Sequence, residues 1–174
     1  MATSAQAAPV AAFDVSLTGT IAGLASGTVT GTGGTAVLDD TGTLTMNIQI
    51  DSVTVFSDNT TTSSILLSGS LAGDTLTVTS ADNTVLSCVN NSPIDGCSFI
   101  SPTFPAAPNP FETFPGSIVF DLVLGNDTTF STTEVGTSAT VVYNWTLTAV
   151  PEPGTALLLS LGLGAMAVAR RRTA

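Results

Sequence analysis

The side chains in this sequence that can do chemistry are carboxylates, hydroxyls, a single tyrosine and two cysteines. The only basic residues are Arg170, Arg171 and Arg172, and histidine is absent. The groups that most often act as general base, Schiff-base amine or phosphate clamp are therefore missing from everything before them. A glycosidase would need two carboxylates about 5 to 9 Å apart. Asp51, Asp74, Asp121 and Glu134 are the candidates, and nothing in their spacing brings any two together. Asp39-Asp40 and Asn126-Asp127 offer oxygen ligands to Ca²⁺, but without a D-x-D-x-D-G loop they read as turn residues. The expectation is a protein that is not an enzyme and holds no cofactor or metal.

Cys88 and Cys97 enclose Asn90, Asn91, Pro93 and Gly96, residues that turn a chain back on itself. No histidine or third cysteine is available to complete a metal site, so a disulfide formed in an oxidising compartment is expected. Tyr143 and Trp145 project on the same side of a strand and would suit a sugar-stacking platform. Val141 and Leu147 flank them on that face, which favours a place in the core. Asn59, Asn90, Asn126 and Asn144 each open an N-x-S/T triplet, a pattern that arises by chance in a chain so rich in threonine. O-linked modification across residues 60–64 is conceivable on the same grounds.

The elements that must hold these residues are strands. Residues 13–24 alternate apolar and small polar side chains at period two, placing a first strand near Phe13. A Gly/Thr-rich stretch over residues 27–34 leads through 36–38 to the turn Asp39-Asp40-Thr41-Gly42, and a hairpin is expected there. Its return arm, residues 44–55, carries Leu44, Met46, Ile48 and Ile50 on one face; Val53 and Val55 then shift by one, which suggests a bulge or break at Asp51-Ser52. Further strands are expected at residues 64–71, 75–80, 83–88 and 117–124, and the strongest at 139–150. Between them, residues 98–116 hold Pro102, Pro105, Pro108, Pro110 and Pro115 with Phe99, Phe104, Phe111 and Phe114, a composition incompatible with a central strand or a helix. An irregular loop pinned to the core by its phenylalanines is expected. Turns every 8 to 12 residues point to an all-β antiparallel sandwich or jelly roll, a single domain over residues 13–150.

A net charge of −10, with charged residues only 9% of the chain, excludes nucleic acid as a partner, because an acidic body repels a polyanion. A lysine-free, Thr-rich surface suits an exported β-protein. With almost no ion pairs available, burial and the hydrogen-bond ladder must supply nearly all the stability.

After Val150 the character changes. Pro151-Glu152-Pro153-Gly154 stops the strand, residues 155–169 are uncharged, and three arginines follow at once. Fifteen residues rise about 22 Å as a helix, short of the roughly 30 Å hydrocarbon core, so spanning would need local thinning and snorkelling arginines. The order of these parts, VPEPGTALLLSLGLGAMAVARRRTA, resembles the PEP-CTERM sorting signal over residues 150–174. The resemblance implies that Pro151, Glu152 and Pro153 are read by an exosortase, a membrane-embedded processing enzyme. It also implies that Arg170, Arg171 and Arg172 hold a short transmembrane helix on the cytoplasmic side of the inner membrane until processing. A Gram-negative host that makes exopolysaccharide, and a final place at the cell surface or in the extracellular matrix, come with the resemblance. Residues 1–12 lack a basic n-region and a long apolar stretch, while Ala5-Gln6-Ala7 is like a signal-peptidase site; a remnant of a longer signal peptide, or a disordered N-terminus, is expected. The favoured function is a non-enzymatic surface or matrix protein of a biofilm, with a carbohydrate-binding or weakly hydrolytic secreted domain as the alternative.

Overall fold

Period-two alternation over long Thr- and Val-rich runs turns one face of each run to the interior and the other to water. In the computed structural model, which describes residues 7–24, 26–100, 105–122, 126–136 and 138–150, those runs are all strands. They are β1 (Pro9–Gly23), β2 (Gly27–Asp39), β3 (Thr43–Thr54), β4 (Asp58–Ala72) and β5 (Thr75–Asn90), then a one-turn helix α1 (Cys97–Ile100). Within the proline-rich stretch lies β6 (Asn109–Pro110), and after it come β7 (Ser117–Val119), β8 (Thr128–Val135) and β9 (Ala139–Ala149). All pairings are antiparallel, in one nine-stranded sheet of order β6-β5-β4-β3-β2-β1-β9-β8, with β7 also on β5.

The expected all-β antiparallel class holds, while the expected sandwich or jelly roll is corrected to a single sheet that curls over one interior. Two features produce the curl. Strands of 11 to 16 residues accumulate a large twist, and bulges in the β1/β2, β2/β3 and β4/β5 pairs bend them further. The last strand, β9, lies beside the first, with Phe13 opposite Ala149. The seam between β5 and β8 is then covered by the proline-rich segment, which bonds to both. β6 pairs with β5 at Asn83 and Asp82, Phe111 N donates to Ala81 O at 2.9 Å, and Thr113 pairs with Thr133 of β8. Further along, β7 pairs with residues 75–77 of β5 while Thr128 Oγ1 donates to Val119 O at 3.4 Å.

Inside the curl, Phe13, Leu38, Leu44, Met46, Ile65, Leu67, Leu76, Phe120, Trp145 and Leu147 are fully buried. Phe120, the residue after β7, brings its ring to 5.2 Å from that of Phe13 on β1, so the covering segment is part of the core. Phe111 is buried and Phe114 packs partly buried against the same cluster, as a pinned loop requires; residues 101–104 lie outside the described set. Hairpin chemistry sets the register. Ala72 pairs with Thr75 across Gly73-Asp74, and Gly73, at φ +64°, supplies the positive angle a two-residue loop of this kind needs. On β1, Gly19 sits opposite Tyr143, where a Cβ would stand 2.1 Å from the Val142 carbonyl oxygen.

Several boundaries differ from expectation for identifiable reasons. β1 begins at Pro9, because the alanines at 11 and 12 pair with Leu38 and Val37 of β2. No register shift occurs at Asp51-Ser52: β3 runs on to Thr54, and Val53 is simply on the outer face, half exposed. The expected breaks between residues 80 and 83 reduce to a bulge, with Thr79 unmatched between Val78 and Ser80, so β5 is continuous. The strand expected over residues 117–124 is only three residues long. β8 was hidden because its inward positions include Thr128 and Thr132 beside Phe130, which blunts the apolar alternation. The expected C-terminal helix lies outside the described residues.

Candidate functional site

Tyr143 and Trp145 do not form an exposed platform. Trp145 is 1% exposed, and its Nε1 donates to Thr132 Oγ1 at 2.9 Å, a neighbour on β8 that is itself fully buried. The Tyr143 ring stacks on Trp145 at 5.7 Å and meets Phe111 edge-on at 5.8 Å. Its hydroxyl donates to Glu134 Oε2 at 3.1 Å. Burial first, and then the neighbouring Glu134 carboxylate, push the Tyr143 phenol well above its ordinary range near 10.

Glu134 is the acceptor at the centre of a polar clasp. Besides Tyr143 of β9 it accepts from Asn83 Nδ2 of β5 at 3.4 Å and from Asn109 Nδ2 of β6. One carboxylate thus ties together four strands that meet at the seam. Neither Asn83 nor Asn109 stood out in the sequence, since only the folded register brings them to Glu134.

The other candidate carboxylates serve local structure. Asp51 on β3 accepts from Thr60 Oγ1 of β4 at 2.7 Å, Asp74 lies in the β4–β5 turn, and Asp121 accepts from Asn126 Nδ2 at 2.5 Å. Asp39 Oδ1 accepts from Thr41 N, Thr41 Oγ1 and Thr43 N at 3.0, 2.6 and 2.9 Å. Desolvation, the largest single effect, raises the Asp39 carboxyl, but these bonds and the backbone of Gly42 together outweigh it and hold the group below its ordinary range. Asp40 accepts from Ala8 N at 2.9 Å, and Asp127 from Thr148 Oγ1 at 2.7 Å. The proposed turn residues are thus turn and rim residues, and among the described residues no three His, Cys, Asp or Glu side chains gather as a metal set. A shallow groove of about 390 Å³ on the outer face, between Asp14, Ser16, Thr35 and Thr148, carries no aromatic ring.

Cys88 and Cys97 are bonded, with Cα atoms 5.8 Å apart. Asp95 caps the helical turn at Cys97, accepting from Cys97 N at 3.1 Å, and Gly96 packs directly against Ser57. The loop over residues 91–96 is thereby fixed to the start of β4, where Asn91 N donates to Asp58 O at 2.8 Å. Of the four sequon asparagines, Asn59 is buried, and Asn90, Asn126 and Asn144 are exposed.

The two ends of the curled sheet differ. At one end Val150 N donates to Ala12 O at 2.9 Å, beside Ala8, the Asp39-to-Gly42 turn and Asp127. The opposite end carries an apolar crown that the sequence did not announce: Leu24 is 83% exposed and Val55 74%, with Phe56, Val89, Ile94 and Val135 also exposed. Hydrogen bonds from Leu24 N to Ser138 O and from Val55 N to Ser26 O lace these turns together. Val53 and Val55, whose shifted spacing suggested a bulge, belong to this crown.

Pro151, Glu152, Pro153 and Arg170, Arg171, Arg172 lie outside the described residues, and among those described no helix is long and apolar enough to cross a membrane. Residues 149–172 match the family model of the PEP-CTERM protein-sorting motif. The match begins on the last residue of β9 and takes in both the Pro-Glu-Pro triplet and the three arginines. Comparison with curated proteins and with solved structures gives no match.

Proposed function

We propose that a chain carrying this exosortase sorting motif is a non-enzymatic surface or matrix component associated with exopolysaccharide. It reaches the inner membrane as a precursor held by residues 155–169 and the three arginines, and an exosortase processes it at Pro151, Glu152 and Pro153. The observation that carries this reading is the position of the motif, which starts at the last residue of the last described strand. The non-enzymatic role is supported by the body itself. Its aromatic pair is buried, its candidate carboxylates are engaged in turn, rim and seam contacts, and its outer face is largely uncharged serine and threonine. The alternative of a sugar-binding domain loses the aromatic pair on which it stood.

Fractionation and C-terminal mass analysis of protein from an exosortase-bearing host test the sorting. Surface material is expected to lack residues 155–174, and replacing Pro151-Glu152-Pro153 by three alanines should leave an uncut inner-membrane form. Mature surface protein with an intact tail would reject processing.

A further inference from the structure

The body leaves almost no slack before the motif. Val150 is still bonded to Ala12 of β1, and Pro151 is the next residue. Consecutive Cα atoms are about 3.8 Å apart, so Pro153 lies at most about 11 Å from Val150 even if the triplet is fully extended. The four residues 151–154 reach at most about 14 Å before the uncharged run begins, against a headgroup layer of roughly 5 to 8 Å. An enzyme acting on the triplet at the membrane surface must work in the narrow space between the bilayer and this end of the sheet.

We infer that the tail-side rim of the folded body, formed by Ala8, Ala12, Asp40, Thr41, Asp127 and Val150, docks on the outward face of the membrane-embedded exosortase and helps present the triplet to it. The inference rests on the proposed sorting. The rim is built to keep its shape: Ala8 and Asp40 exchange two hydrogen bonds, Asp40 N to Ala8 O and Ala8 N to Asp40 Oδ1, both at 2.9 Å. Asp127 is tied to Thr148, two residues before the exit. A surface held this firmly, and this close to the point of cutting, meets the enzyme in one fixed orientation each time the triplet enters its site. That orientation is lost when the tether is lengthened, because the effective concentration of the rim at the enzyme then falls.

The test places flexible Gly/Ser inserts of increasing length between Val150 and Pro151 in the full chain and follows precursor conversion by pulse-chase in an exosortase-bearing host. Conversion should slow by about five- to tenfold as the insert grows, as expected for a weakened tethered contact. The same inserts between an unstructured carrier and residues 151–174 should leave conversion unchanged. Disulfide formation and thermal midpoint report that the body still folds. Equal or faster conversion with the inserts overturns the inference, as does equal slowing in the carrier. An uncut parent chain in that host would instead overturn the sorting reading on which it stands.

Discussion

Tyr143 is the chain's single phenol, so its titration can be followed without interference. The folded protein holds the phenolic proton more tightly than the unfolded chain does, through burial and the Glu134 carboxylate beside it. The stability this contributes is fully present below the ordinary value near 10 and is lost as pH rises above it towards the raised folded value. Phenolate absorbance should therefore appear at high pH together with unfolding. In Glu134→Gln, where the negative charge is gone but an acceptor remains, it should appear at lower pH. A phenol that titrates near 10 while circular dichroism stays native would contradict the burial. That Tyr143 and Trp145 face inward was legible in the sequence, because Val141 and Leu147 share their period. The role of Glu134 was not, because its partners come from three other strands and local spacing carries no trace of them.

At the level of elements, the long alternating runs were readable because each strand buries one face; the turn at residues 39–42 was readable from its glycine and aspartate chemistry. What failed was the inference from strands to layers. Turn spacing does not distinguish two facing sheets from one curled sheet, since the decision lies in the bulges and in which strands become neighbours. β8 escaped notice because its threonines are buried, and Thr132 is there to satisfy an indole N–H. The disulfide acts at this scale by holding the end of β5 and the loop over residues 91–96 against β4. Replacing both cysteines by serine should cost about 2 to 3 kcal/mol by the loop-closure argument. Denaturant unfolding with and without the pair measures it, and an unchanged midpoint would show that the loop is held by its hydrogen bonds alone.

For the molecule as a whole, every described strand and every described core residue lies at or before Ala149. A chain ending at Val150 is therefore expected to fold as the full protein does, with a thermal midpoint unchanged to within about 2 °C, the shift that a few tenths of a kcal/mol produce at this size. Failure of that chain to fold would make the tail part of the core. The position of β9 reaches beyond stability. The last of the described strands, β9, sits between the first of them, β1, and β8, which ends the strand order. In a polypeptide that crosses a membrane with its N-terminus leading, β1 keeps an open edge and β8 lacks its main partner until residue 149 has emerged. Such long-range pairing is slow and cannot begin early. Closure of the curled sheet therefore waits on residues 139–149, which immediately precede the sorting motif, although the hairpins from β1 to β5 need no partner from β9. A molecule arrested before residue 149 presents the unpaired edges of β1 and β8 in place of a finished surface.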